Sequence, residues 1–103
     1  MPHYQPEKPL FVLSKKELEI CIERERNIAV MHHSIIREGP GASFYQMPVT
    51  KEEYAKKLYE MLHHIDDTNV EKILVEQPPN SNDWGDINDR LKKASSRVIA
   101  EKV

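Results

Sequence analysis

Five histidines, one cysteine and one acidic–aromatic segment are the residues of this 103-residue chain whose types could do chemistry. His32-His33 and His63-His64 form two adjacent pairs. A zinc centre needs ligands converging on one point, usually from i, i+4 positions of a helix or from a cysteine knuckle. Neighbouring residues point about 100° apart on a helix and to opposite faces on a strand, so each pair offers at most one ligand to any one site. His63 and Asp67 have the i, i+4 spacing, but Asp67 falls at a helix end that should fray. The histidines are therefore read as solvated strand-end and helix-end residues, and no metal site is assigned. Cys21 falls on an apolar stripe with Leu18 and Ile22 and reads as a buried structural thiol with no cation to hold it as thiolate. No nucleophile–base pair can be assembled, so no catalytic residue is assigned. Gly39-Pro40-Gly41 lacks the phosphate-loop pattern and precedes a strand, and the junction Leu13-Ser14-Lys15 has no glycine fingerprint.

The segment from Glu76 to Lys93 is the most distinctive. A strand runs into Gln77-Pro78-Pro79-Asn80-Ser81-Asn82, and a helix then opens with Trp84, Gly85, Asp86, Asn88, Asp89 and Arg90. Asp83 and Asp86 suit a helix N-terminus, and Asp86 with Arg90 makes an ordinary surface pair. Helix formation alone gives no reason for Trp84 and Asn88.

These residues need elements to position them. Residues 1–9 hold three prolines, which fix an extended arm carrying His3 and Tyr4. Leu10–Leu13 and Ile28–Met31 are short apolar runs, the pattern of strands buried on both faces. Between them Ser14 and Glu17 form a capping box for a helix over 15–25, ended by Asn27. A weaker strand covers 44–47. Thr50 and Glu53 form a second box for a helix over 51–65, whose stripe is Tyr54, Leu58, Met61, Leu62 and Ile65. Residues 72–76 give a fourth strand, and 84–100 a last helix with Ile87, Leu91, Ala94 and Val98 on one face. The fold class is α/β: a small three-layer Rossmann-like sandwich of about four mostly parallel strands and about three helices. The arm is 1–9 and the single domain 10–103. A half-Rossmann order, 3-2-1-4, is expected, with a ligand crevice at the carboxyl ends near Ser14, Ser34 and the loop 77–82.

Length and composition bound the function. A 12.0 kDa chain fits one domain and not two. With 15 basic and 17 acidic residues the net charge is -2, which argues against direct nucleic-acid binding. One cysteine allows no internal disulfide and suits the cytosol, and no apolar run approaches the roughly 20 residues that span a bilayer. The polar start, with its early prolines, is not a secretory signal.

Two anchoring motifs and one helix carry a resemblance. Ile73-Leu74-Val75-Glu76 with Pro78-Pro79, followed by Trp84-Gly85-x-Ile87-Asn88-Asp89-Arg90-Leu91-x-x-Ala94, resembles the end of two-domain threonylcarbamoyl-AMP synthases. His3-Tyr4-Gln5-Pro6 matches the His-Tyr-x-Pro motif of their linker, and Tyr54-Ala55-x-x-Leu58-Tyr59-x-x-Leu62-x-x-Ile65-Asp66 is similar to a helix of their C-terminal domain. The segment 34–42 is shorter than in that family. The resemblance implies a Rossmann-like C-terminal domain that follows a YrdC-like catalytic domain. The whole enzyme makes threonylcarbamoyl-AMP from threonine, bicarbonate and ATP for a tRNA modification. The catalytic half has no counterpart here, so synthase activity is not carried over. The expectation is a non-catalytic accessory or regulatory domain. Its arm would bind a nucleotide, with ATP or threonylcarbamoyl-AMP as candidate ligands, or a separate YrdC-like catalytic subunit. His3, Tyr4, Trp84, Asn88 and Arg90 are the candidate contact residues. The alternative is a free-standing nucleotide-binding α/β module unrelated to tRNA modification.

Overall fold

Local signals set the elements. The computed structural model describes residues 4–96. In chain order they form β1 (Leu10–Leu13), α1 (Lys15–Arg24), β2 (Ile28–His32), β3 (Ala42–Gln46), α2 (Lys51–Asp66), β4 (Lys72–Glu76), a short 3-10 turn (Asn82–Trp84) and α3 (Gly85–Ala94). Ser14 caps α1 with both bonds of the box: the Glu17 amide donates to its hydroxyl, and its own amide donates to the Glu17 carboxylate. Removing the hydroxyl with Ser14→Ala is expected to cost about 1 kcal/mol, read as a lower chemical-denaturation midpoint. At α2 the box is only half made. Glu53 donates its amide to the Thr50 hydroxyl, but its carboxylate takes the hydroxyl proton rather than the cap amide. Asn27 ends the first turn region with φ 59°, a left-handed position that asparagine tolerates.

The four strands form one sheet, and every pairing in it is parallel. The order is β1-β4-β2-β3, which corrects the expected 3-2-1-4. β4 inserts between β1 and β2, because the two runs buried along most of their length, Ile28–Met31 and Ile73–Glu76, take the centre. β1 is an edge strand, with only Leu10 fully buried, and not a strand buried on both faces. β3 forms the other edge.

Alternation along the strands builds two cores. Leu10, Ala29, Met31, Ile73 and Val75 face α2 and α3, packing on Tyr54, Leu58, Leu62, Ile87 and Leu91. Ile28, Val30 and Leu74 face the other way, onto Leu18 and Ile22 of α1. The molecule is thus three layers: α1, the sheet, then α2 with α3. The β1–α1–β2 crossover and the β3–α2–β4 crossover run in opposite directions across the sheet and on opposite faces. They therefore share one hand, as the strong handedness rule for parallel crossovers demands. The coil 33–41 carries the chain from β2 to β3 on the α1 side, where Ile36 joins the core. Gly41 permits this path, since a Cβ there would stand 2.6 Å from the Glu25 carbonyl oxygen and 2.7 Å from the Arg26 Cα.

α3 ends at Ala94, where Ser95 leaves helical geometry and donates its hydroxyl to the Lys92 carbonyl. This shortens the helix expected over 84–100, and Val98, expected on its face, lies outside the described residues. Ser96 instead bonds to β1: its amide donates to the Leu10 carbonyl and its hydroxyl accepts from the Leu10 amide.

Candidate functional site

One carboxylate gathers the described part of the arm, residues 4–9. An acidic residue in the last turn of a helix opposes the helix dipole and calls for compensating donors. Asp66 has them. Its carboxylate accepts from the Tyr4 hydroxyl at 2.9 Å, the Glu7 amide at 3.0 Å and the Lys8 amide at 3.1 Å. The Lys8 ammonium closes the same helix end by donating to the Asp66 carbonyl at 2.8 Å. Partial burial opposes ionisation of Asp66, but the Glu7 and Lys8 amides, the Tyr4 hydroxyl and the Lys8 charge outweigh it and hold the carboxyl below its usual range. Tyr4 responds in the opposite sense: burial first, then the bond to Asp66, push its phenol up to about 12. Pro6 is buried, and the Pro9 carbonyl accepts from the Ile73 amide, continuing the β1–β4 ladder.

An aromatic patch surrounds this bond. The Tyr4 ring stacks on His63 with centroids 4.0 Å apart and meets Tyr59 edge-on at 6.0 Å. The Arg90 guanidinium lies 5.9 Å from the Tyr59 ring centroid, within cation–π range. Tyr59, His63 and Asp66 occupy one stripe of α2, so helical spacing aligns them for the arm. Tyr4 and Arg90, named from the sequence, are therefore joined through Tyr59. His3 lies outside the described residues.

Trp84 and Asn88 sit elsewhere. Trp84 is buried and packs edge-on against Tyr54 at 5.5 Å. Asn88 clamps the loop that follows β4. Its carbonyl accepts from the Gln77 side chain at 2.9 Å, and its amide donates to the Pro79 carbonyl at 2.9 Å. The two residues for which helix formation gave no reason thus hold the β4–α3 connection onto the core.

A second carboxylate closes the sheet crevice. Glu76 ends β4 and is only 4% exposed. It accepts from the His33 amide at 3.0 Å, the Ser34 amide at 3.1 Å and the Ser34 hydroxyl at 2.5 Å, and the His33 ring lies 3.6 Å away. Burial raises its carboxyl, and the Ser34 and His33 donors more than reverse that, leaving it below the usual range. Paired amides at the carboxyl end of a sheet are a natural anion nest. Here the protein's own carboxylate fills it, so the His33 and Ser34 donors of the expected crevice are already taken and not free for a phosphate.

The remaining candidates are quiet. Cys21 is partly buried, not fully, and burial with a bond to Glu25 raises its thiol away from thiolate. Among the described residues, no three His, Cys, Asp or Glu side chains gather to hold a metal ion, and no helix is long and apolar enough to cross a membrane.

Comparison with known proteins adds a family. The model described as "Threonylcarbamoyl-AMP synthase, C-terminal domain" matches residues 1–96, taking in the arm, both edge strands and α3. No curated protein and no solved structure matches the chain.

Proposed function

The chain belongs to the family of threonylcarbamoyl-AMP synthase C-terminal domains, and from that membership we propose that it is a non-catalytic accessory domain working beside a YrdC-like catalytic unit. The arm is the working part. The observation that carries this reading is the docking of Tyr4: within the motif, Tyr4 is held at the domain surface by Asp66, His63 and Tyr59, with Arg90 beside Tyr59. A proline-stiffened arm already held by its own domain has less ordering cost to meet on engaging a partner. The arm's ligand would be ATP or threonylcarbamoyl-AMP held in the catalytic unit's pocket, so that the domain regulates nucleotide affinity there. The setting is the cytosol, as the single cysteine suits.

No acid, base or nucleophile of this chain is assigned to the synthase reaction. Pyrophosphate release from ATP, threonine and bicarbonate by the purified chain is therefore expected to match the protein-free rate. Turnover above that rate would overturn the non-catalytic reading.

A further inference from the structure

A cavity of about 420 Å³ opens at the outer edge of β1, between that strand, α3 and the loop after β4. It shares no residue with the docked arm. Phe11, Val12 and Leu13 form one side, Leu91 and Lys92 another, and Asn80 stands on the loop side.

The backbone of β1 decides what the cavity can hold. The Pro9 carbonyl accepts from the Ile73 amide of β4 and the Leu13 carbonyl from the Gln77 amide just after it, so odd-numbered residues of this strand direct their polar groups inward to the ladder. Even-numbered residues direct theirs outward. Leu10 demonstrates it, since its amide and carbonyl bond to Ser96 on the open side. At the other end, the Ser14 amide is taken by Glu17 and its carbonyl by the Leu18 amide. Between these closed positions, and among the described residues, Val12 is left with one N–H and one C=O, side by side, toward the cavity.

A single pair is too short for an added peptide strand, which would need several alternate residues of open edge. It suits instead the edge of a flat heterocycle that carries a donor next to an acceptor. The apolar sides of Phe11, Leu13 and Leu91 suit the faces of such a ring. Two further groups extend the pattern. Asn80 is exposed on the loop with its amide turned to no partner among the described residues, and the Lys92 ammonium, also unpaired there, supplies one positive charge at the rim. A nucleobase with an anionic tail meets all of these.

We propose that this cavity is a binding site for a nucleoside monophosphate, with the base on the Val12 backbone and the phosphate toward Lys92. It is independent of the arm: its failure would leave the Tyr4 reading untouched, and the reverse holds as well.

The test is a titration of the isotope-labelled chain followed by amide NMR, with AMP, adenosine and inorganic phosphate as separate probes. AMP and adenosine are expected to shift the Val12, Asn80 and Lys92 amides, with AMP the tighter. Val12→Pro removes the outward N–H, a change that edge strands accommodate, and also the valine side chain, whose loss Val12→Ala measures separately. It should weaken adenosine at least about threefold more than Val12→Ala does, the size of one net hydrogen bond. Lys92→Ala should weaken AMP more than adenosine. If Val12→Pro fails to fold, Asn80→Trp, on an exposed loop position, should block the cavity and abolish the shifts. No shift with millimolar AMP, the full shift reproduced by phosphate alone, or unchanged binding in Asn80→Trp would each overturn the proposal.

Discussion

Glu76→Ala is expected to destabilise the domain by about 3 kcal/mol, since it removes a buried charged acceptor from three part-buried donors at once. The His33 amide, the Ser34 amide and the Ser34 hydroxyl all lose their acceptor at once. For a domain of this size that corresponds to a fall in Tm of roughly 15 °C. Glu76→Gln should cost less, because a carbonyl oxygen remains for the two amides while the new NH2 group faces the Ser34 hydroxyl and the His33 ring. Thermal melts of the two variants at neutral pH check this ranking. The pH dependence follows from the depressed carboxyl of Glu76. A group whose folded pKa lies below its unfolded value contributes stability that is fully present above the unfolded value, about 4.3, and lost as pH falls through the folded one. The gap between wild type and Glu76→Gln should therefore narrow in acid. Equal melting of wild type and Glu76→Ala would contradict the account of the crevice.

Asp66→Ala is expected to cost about 2 kcal/mol, because it removes a charged acceptor from three donors that can partly turn to water. Unlike Glu76, the damage should stay local. The Glu7 and Lys8 amides are the direct reporters, since both lie in bonds to the lost carboxylate. Their hydrogen exchange should accelerate at least tenfold, while amides of β2 and β4 change only with global stability. The Tyr4 phenol, now pushed up to about 12 by burial and by Asp66, should titrate closer to 10. Asp66 is also depressed, so its contribution too is present above about pH 4 and fades as the carboxylate protonates. Unchanged exchange at residues 7 and 8 would mean that the arm is held by something other than this carboxylate.

What the sequence discloses and what it hides divide by distance. The capping of α1 was legible because Ser14 and Glu17 sit in one turn. The apolar runs located all four strands to within two residues at either end, and the stripe from Tyr54 to Ile65 located α2. Strand order was not legible, because Leu10–Leu13, Ile28–Met31 and Ile73–Val75 look alike as runs. Only tertiary packing, with Ser96 closing the edge at Leu10, puts β1 outside. The two carboxylates that organise the molecule were missed for the same reason. Asp66 meets donors 58 to 62 residues away and Glu76 meets donors 42 or 43 away. Signals for both were present: an acid in the last turn of α2, against the dipole, and an acid terminating an apolar strand ahead of two prolines. Each announces that a partner is required without saying which. The family motif pointed to Tyr4 and Arg90, which the fold gathers on Tyr59. It also pointed to Trp84 and Asn88, which hold the loop after β4 in place.

Under the proposed function, this domain acts on a catalytic unit through its arm. The measurement that bears on it most directly is the ATP affinity of a YrdC-like catalytic domain, titrated calorimetrically with and without this chain, wild type and Tyr4→Ala. The account predicts that the wild-type chain changes that affinity and that Tyr4→Ala removes the change while leaving the domain folded. An affinity that is the same in all three titrations, or an effect that Tyr4→Ala retains in full, would contradict it.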